Sequence, residues 1–352
     1  MNDVYLSLAK HLDNLPAGFP ATDSGVELRI LKRLFTAREA EIAIRLTMMP
    51  EPIPAIAGRL DLDESDLGPI LESMSKKGLI FRMQKKGETL FMAAQFVIGI
   101  WEYHVNDLDE ALIKDFNEYV PHLMKKTWAK QKTKQLRVIP VSKSISAEMS
   151  IMPYEAAENI IKKQSKILVA PCICRKEHKM VGKGCDRPME ACLIFGSGAY
   201  YYHENGLGRF ISRAEALDLL NKGQEAGLVL QPGNAKKPSN ICMCCGCCCQ
   251  ILKNLKIMEN PSKAVCNNYF AVINDEDCTA CGTCVERCQM DAIALDDVAR
   301  IDDNRCIGCG LCIPTCESEA IQLREKPEAD RWVPPTTTLR TYLNIARERG
   351  KI

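Results

Sequence analysis

Residues 278–288 read CTACGTCVERC and residues 306–316 read CIGCGLCIPTC, two copies of the spacing C-x2-C-x2-C-x3-C that begin 28 residues apart. The likeness continues outside the cysteines, at the matched pairs Ile273 and Ile301, Asp275 and Asp303, Gly282 and Gly310, Ala292 and Ala320, and Leu295 and Leu323. Each copy is too short to bury a core by itself. We therefore expect the two copies to pack together about a pseudo-twofold axis.

This repeat, residues 271–326, resembles a bacterial-type ferredoxin domain with two [4Fe-4S] clusters. In that family three thiolates on one tight loop bind three irons of a cube, and the fourth cysteine of each run binds the other cluster. The resemblance implies that one cluster is held by Cys278, Cys281, Cys284 and Cys316, and the second by Cys306, Cys309, Cys312 and Cys288. The alternative is a pair of C-x2-C zinc sites, which the crossed repeat disfavours.

Two features of the repeat bear on its redox chemistry. The family usually has proline after the fourth cysteine, whereas this chain has Gln289 and Glu317, whose backbone N–H groups would raise the potential if they reached a cluster sulfur. Residues 271–326 carry 12 Asp and Glu against 5 Lys and Arg. This acidic balance favours docking on a basic partner and disfavours nucleic acid.

The distribution of cysteines indicates a metal-binding protein. All 19 cysteines of the 352 residues lie between positions 172 and 316, at short spacings that are typical of metal ligands and not of a disulfide framework. Lys and Arg number 46 against 45 Asp and Glu, a balance that gives no indication of a nucleic-acid binder. We find no apolar run of about 18 residues and no secretory leader, and therefore expect a cytoplasmic protein without a membrane span.

A Cys-rich middle domain of α/β type is predicted over residues 151–265. Its candidate metal ligands are Cys172, Cys174, Cys185, Cys192, Cys242, Cys244, Cys245, Cys247, Cys248 and Cys249. A third [4Fe-4S] cluster is the favoured interpretation; structural zinc and a redox-active dithiol beside a cluster are the alternatives. Neighbouring side chains diverge in a helix or a strand, so the adjacent cysteines of residues 244–249 cannot all bind one metal. Cys185 and Cys192 would share a face if their segment were helical.

Several other side chains in this block have two interpretations. Arg175 can donate to a cluster sulfur or an anion, or be solvated. His178 and His203 are either metal ligands or, as we expect from their polar surroundings, surface histidines. The run Tyr200 to Tyr202 either lines a pocket or, as we expect, lies in a buried strand.

Residues 1–100 predict a winged-helix-like domain. Residues 56–60 and 65–77 would form its helix-turn-helix, and residues 78–82 and 90–92 its wing strands. The reading helix would open with residues 63–66, DESD, which repel phosphates, and residues 1–100 hold 12 basic against 13 acidic side chains. We therefore expect this domain to make protein contacts, such as a homodimer interface, and not to bind DNA.

The remaining segments are assigned as connector and tail. Residues 101–150 predict a helical connector whose stretch 125–137 holds six basic residues and no acid; this is either a solvated helix face or a surface for an acidic partner. Residues 266–326 complete the ferredoxin-like domain, and residues 327–352 form a docking tail with a short amphipathic helix. The whole is an α+β multi-domain chain.

The function expected from these patterns is electron transfer. Neither G-x-G-x-x-G nor G-x4-G-K-[ST] occurs, so no nucleotide or flavin site is predicted, and no catalytic residue is assigned. The chain resembles the multi-domain 4Fe-4S dicluster proteins of anaerobic microbes, which implies an electron-transfer protein or reductase subunit that works with a partner redox enzyme. The alternatives are a redox-sensing winged-helix regulator and a thiol/disulfide reductase that uses surplus cysteines beside a cluster.

Overall fold

The computed structural model describes residues 3–146, 149 and 151–352 as a mixed α/β chain with small sheets. It divides into two compact units. The first comprises Met1–Lys132, Ser197–Arg209 and Tyr342–Ile352, and the second comprises Thr133–Gly196 and Phe210–Thr341. In the described ranges, no helix has the length and apolar character needed to cross a membrane.

The first unit is mostly helical. Its elements are α1 (Val4–Asn14), α2 (Val26–Leu34), α3 (Ala37–Ala43), β1 (Glu51–Pro52), α4 (Ile53–Leu60), α5 (Glu64–Lys76), β2 (Ile80–Lys85), β3 (Glu88–Ala93), α6 (Trp101–Tyr103) and α7 (Glu110–Lys126). Leu8, Val26, Ile30, Leu71 and Phe91 are fully buried in its core. The sheet order is β1-β3-β2, and all of its pairings are antiparallel.

Local chemistry explains where these elements begin and turn. Thr36 accepts a hydrogen bond from the N–H of Glu39, whose carboxylate accepts one from the N–H of Thr36, so a complete capping box opens α3. Lys86 and Gly87 both have positive φ, 53° and 82°, as a two-residue hairpin turn between β2 and β3 requires. The helix-turn-helix and hairpin segments expected from the sequence are present; whether they form a winged-helix domain stays a prediction.

The second unit contains a five-stranded sheet in the order β6-β4-β5-β8-β7. Its elements are α8 (Ala157–Lys162), β4 (Ile167–Pro171), α9 (Ile173–Met180), β5 (Glu190–Phe195), α10 (Gly196–Glu204), β6 (Arg209–Ile211), α11 (Arg213–Glu225), β7 (Val229–Pro232), β8 (Asn240–Cys244) and α12 (Gln250–Lys256); most of α10 belongs to the first unit. Strands β5 and β8 pair antiparallel with Cys192 opposite Cys242, which places both side chains on one face of the sheet.

The 28-residue repeat forms two interlocked strand pairs in the same unit. Its elements are β9 (Tyr269–Ile273), α13 (Thr283–Arg287), β10 (Ile293–Leu295), β11 (Ala299–Ile301) and β12 (Ile321–Glu325), with β9 paired to β12 and β10 paired to β11. The backbone repeats as well as the sequence, since φ is positive at the matched positions Ala280 and Gly308, Gly282 and Gly310, and Asp291 and Glu319. The last helix is α14 (Thr338–Glu348), most of which belongs to the first unit. Arg349 follows this helix and forms an ion pair with Asp13 within the first unit.

Two local predictions were wrong. The basic stretch 125–137 is not a solvated helix face, because α7 ends at Lys126 and both Lys134 and Arg137 are buried. Arg137 donates hydrogen bonds to the carbonyls of Tyr154 and Ala235, and burial lowers its pKa to about 10. Tyr200 to Tyr202 lie in α10, not in a strand.

Candidate metal centres

Two cavities in the ferredoxin-like segment bring the eight repeat cysteines together in two sets. The first cavity is lined by Cys278, Cys281, Cys284 and Cys316. The second is lined by Cys288, Cys306, Cys309 and Cys312. Each cavity therefore takes three thiols from one run and the fourth from the other. This is the crossed grouping that the ferredoxin resemblance implies.

The glycines of the second run have no room for a side chain. A Cβ on Gly308 would clash with the carbonyl oxygen of Tyr269, and one on Gly310 would clash with the hydroxyl of Ser144. Both glycines have φ in the left-handed region, which a side chain disfavours. The loop that carries Cys306, Cys309 and Cys312 is thus shaped by backbone that only glycine accepts at these points.

Backbone N–H groups point at the thiols of both cavities. The N–H of Ala299 donates to Cys278 Sγ at 3.4 Å, and the N–H of Ala292 donates to Cys288 Sγ at 3.3 Å. Such donors stabilise a thiolate that binds a cluster. The sequence pointed to the N–H groups of Gln289 and Glu317 instead, because no side-chain pattern marks Ala292 and Ala299 as backbone donors. Four thiols per cavity together with these donors fit a [4Fe-4S] cluster in each.

The two cavities differ in exposure. Cys281 is exposed, whereas Cys312 of the second cavity is buried. Burial raises the pKa of the Cys309 thiol to about 12, while hydrogen bonding with Thr283 lowers that of Cys281. Each cavity has one buried cysteine, Cys284 in the first and Cys312 in the second, so the difference between them lies in the exposed Cys281.

The ten cysteines of the middle block separate into two groups. Cys185, Cys245, Cys247 and Cys248 form a four-thiol group in which all Sγ atoms lie within 4.8 Å of one another. A six-thiol group comprises the remaining cysteines, Cys172, Cys174, Cys192, Cys242, Cys244 and Cys249. Hydrogen bonds between thiols connect it from Cys172 through Cys174, Cys249, Cys244 and Cys242 to Cys192.

This division explains the adjacent cysteines. Cys244, which ends β8, belongs to the six-thiol group and its neighbour Cys245 to the four-thiol group, as diverging side chains along a strand imply. The adjacent Cys247 and Cys248 share the four-thiol group because they lie in a turn, where this rule does not apply. Cys185 and Cys192 also fall into different groups. Their segment is not helical, since Cys185 lies in the loop before β5 and Cys192 within that strand. Cys266 lies elsewhere and accepts a hydrogen bond from the Asn234 amide at 3.6 Å.

A buried arginine contacts both groups. Arg175 is 1% exposed and donates to the carbonyls of Pro188 and Met243. Its charge also acts on Cys172 and on Cys245, and its Nε–H has no hydrogen-bond partner in the described part of the chain. The hydrogen bond with Cys174, opposed by burial and assisted by Arg175, lowers the pKa of Cys172 to about 7. A buried cation with a free donor fits an anionic metal centre at this place.

The two histidines have different environments. His178 is buried, contrary to the prediction, with Nδ1 at 2.8 Å from the carbonyl oxygen of Cys174 and Nε2 at 2.9 Å from Lys253 Nζ. It thereby fixes the backbone that carries Cys174. His203 is exposed, as predicted, on α10.

Comparison with known proteins places one part of this chain. Residues 271–294 and 299–322 match the family model described as a 4Fe-4S binding domain, and these ranges contain all eight cysteines of the two cavities. No curated protein and no solved structure matches the chain significantly. The C-terminal segment, residues 271–322, is therefore a ferredoxin-like 4Fe-4S binding domain.

Proposed function

We propose that this chain is an iron–sulfur electron-transfer protein or reductase subunit that relays single low-potential electrons between a partner redox enzyme and a Cys-rich centre in the middle block. The observation that carries the proposal is the pair of cavities with crossed sets of four thiols. A [4Fe-4S] cluster bound by each set would accept and release one electron at a time. The reduced thiols that these sites require fit a cytoplasmic location.

The protein positions the two sets of thiols and keeps water out of the core between them. Ala271, Ile293 and Ile321 belong to one buried cluster that also includes Cys284 and Cys312, so both cavities share the same apolar core. This shared apolar core excludes water between the cavities and favours passage of an electron from one to the other. The exposed Cys281 makes the first cavity the side that faces an external partner.

The second cavity faces the middle block. Gln289 directly follows Cys288, and its side-chain oxygen accepts a hydrogen bond of 2.9 Å from the N–H of Gly246, between Cys245 and Cys247. The ferredoxin-like domain and the Cys-rich loop are therefore in direct contact within the second unit. This contact supports a route from the second cavity into the middle block.

We place a third [4Fe-4S] cluster at the six-thiol group. One cubane needs four thiolates, which the group can supply from its hydrogen-bonded chain. The buried guanidinium of Arg175 would offset part of the negative charge of such a cluster, and its unpartnered Nε–H offers a donor.

The partner surface is proposed to be basic. Asp275, Glu276 and Asp277 are exposed directly before Cys278, on the side of the first cavity. Negative charge at the point of electron exit steers a positively charged partner into place and weakens in salt. The winged-helix-like N-terminal region would then make protein contacts, including a homodimer.

Iron and acid-labile sulfide per chain, measured after anaerobic purification together with EPR of the reduced protein, test this proposal. Two clusters give about eight irons with equal sulfide, and a third in the middle block gives about twelve. Fewer than about eight irons, or fewer than about eight sulfides, would contradict it. Within the ferredoxin-like domain, C316S should disturb the cluster of Cys278, Cys281 and Cys284, and C288S the other cluster. Cys266→Ser is the matched control.

One observation bears on a second function, thiol/disulfide reduction. Cys247 is exposed, and Nη1 of Arg187 lies 3.5 Å from its sulfur, an environment that activates a thiol when no metal is bound. If Cys247→Ser abolished disulfide reduction while every metal stayed in place, this function would replace the relay. The regulator has less support, because Asp63, Glu64 and Asp66 are exposed at the start of α5, where phosphates would approach.

A further inference from the structure

The four-thiol group differs from the ferredoxin cavities in the spacing of its sulfur atoms. Cys185 Sγ lies 3.9 Å from Cys245 Sγ and 3.7 Å from Cys248 Sγ, and Cys247 Sγ lies 3.7 Å from Cys248 Sγ. Four thiolates at about 2.3 Å around one tetrahedral metal ion lie about 3.8 Å from each other. Three of the six sulfur–sulfur distances match this value and all six are within 4.8 Å, a spacing that suits a single metal ion.

A cubane places its thiolates farther apart, because each of them binds a different iron. Neither ferredoxin set meets the 4.8 Å limit that the four-thiol group meets, among the residues for which the structure gives positions. The ferredoxin-like domain thus serves as an internal reference for the cluster-sized spacing, and the four-thiol group departs from it.

We propose that Cys185, Cys245, Cys247 and Cys248 bind one tetrahedral metal ion, separate from every iron–sulfur cluster of this chain. Four thiolates in tetrahedral geometry select zinc or a single iron among the common metals. Because all four coordination positions come from protein, no position is left for substrate, and the site is structural in type.

Backbone donors contact two of the four ligands. The N–H of Arg187 donates to Cys185, and the N–H of Cys248 donates to Cys245. Four thiolates around a divalent ion leave a net negative charge, and two guanidinium groups face it. Arg187 approaches Cys247, and the buried Arg175 contacts Cys245. Donors of this kind orient metal ligands and raise the affinity of the site.

The ion would hold the Cys-rich loop against the second ferredoxin cavity. Gly246 lies between two of the ligands, and a Cβ on it would clash with the backbone oxygen of Gln289, the residue after Cys288. Cys185, from the loop before β5, would be joined through the ion to the turn after β8. The bound ion would therefore hold Gly246 against Gln289, where the two backbones are too close for any side chain at position 246. This proposal does not depend on electron transfer by the chain.

Metal analysis of the wild-type protein gives the first test. Zinc, iron and acid-labile sulfide are measured on the anaerobically purified chain, and cysteines are alkylated with iodoacetamide in the native state and located by mass spectrometry. We expect one ion beyond the clusters, either one zinc or one iron that has no matching sulfide, and protection of Cys247 despite its exposure. Iron and sulfide in equal numbers without zinc, or rapid labelling of Cys247, would overturn the proposal.

Variants give the second test. Cys247→Ser should lose about one metal ion, with labile sulfide and the cluster EPR signals unchanged, while C266S should lose none. Replacement of the ion by Co²⁺ should add thiolate-to-cobalt charge-transfer bands in wild type, and these bands should weaken in C247S. Loss of about four irons together with four sulfides from C247S would show that the group binds a cubane. If C247S does not fold, the wild-type measurements still decide.

Discussion

At the scale of single residues, Gly308 is the most constrained backbone position of the ferredoxin-like domain. It combines φ of 66° with direct contact to the carbonyl of Tyr269. Gly308→Ala should therefore lower stability by about 2 to 4 kcal/mol, since left-handed strain and a backbone clash add. The readout is the anaerobic thermal midpoint together with the sulfide retained.

Gly182 is the matched control for this change. Its φ is 70°, it lies in the same unit, and a Cβ would meet nothing within 4 Å. Gly182→Ala should lower the free energy of unfolding only by the strain of a side chain at left-handed φ, about 1 kcal/mol. Equal losses in the two variants would mean that the contact with Tyr269 contributes nothing.

Arg175 gives the second prediction at this scale. Removing a buried cation leaves two carbonyls and several thiols without their partner, which costs about 3 to 5 kcal/mol. We expect this loss for R175M, measured as the shift in thermal unfolding. The control is Arg213, which is exposed and also donates to a backbone carbonyl, that of Gln164. R213M should lower the free energy of unfolding by less than about 0.5 kcal/mol. A neutral R175M would show that the thiol groups do not depend on this charge.

At the scale of elements, the sequence predicts what is local. Three of the four thiols of each cavity lie on one short loop, and the spacing C-x2-C-x2-C predicts them directly. The fourth thiol comes from the other run and was predicted only through the resemblance to ferredoxins. The division of the middle cysteines was not predictable, because it depends on the register of β5 against β8 and on the course of the loop that carries Cys185. The burial of Arg175 and His178 was missed for the same reason: their neighbours in sequence are polar, and the elements that cover them are distant.

The capping box of α3 gives a prediction for one helix. Thr36→Ala removes the acceptor for the N–H of Glu39 and should cost about 1 kcal/mol. Thr36→Ser keeps the hydroxyl and should stay within about 0.3 kcal/mol of wild type, which separates the cap from packing of the methyl group. The measurement is chemical unfolding followed by circular dichroism of the helical first unit. If T36S were as unstable as T36A, the loss of stability would come from the missing methyl group and not from the missing hydrogen-bond acceptor.

At the scale of the whole molecule, metal dependence should follow the distribution of cysteines. All 19 lie in the second unit, whose metal cavities would be empty and whose clustered thiols would repel one another after chelation. The first unit has no cysteine and closes its own core around residues such as Leu8, Ile30 and Leu71.

Hydrogen exchange with mass spectrometry, before and after anaerobic chelation, measures this difference. Peptides from α2, α5 and α7 should keep their protection, because their core involves no metal ligand. Peptides from β5, β8 and β9 should lose protection by a factor of ten or more, about 1.4 kcal/mol in local opening free energy, because the ligands hold these strands in place. If α2, α5 and α7 lost protection by the same factor as β5, β8 and β9, the two cores would open together and the first unit would depend on metal binding.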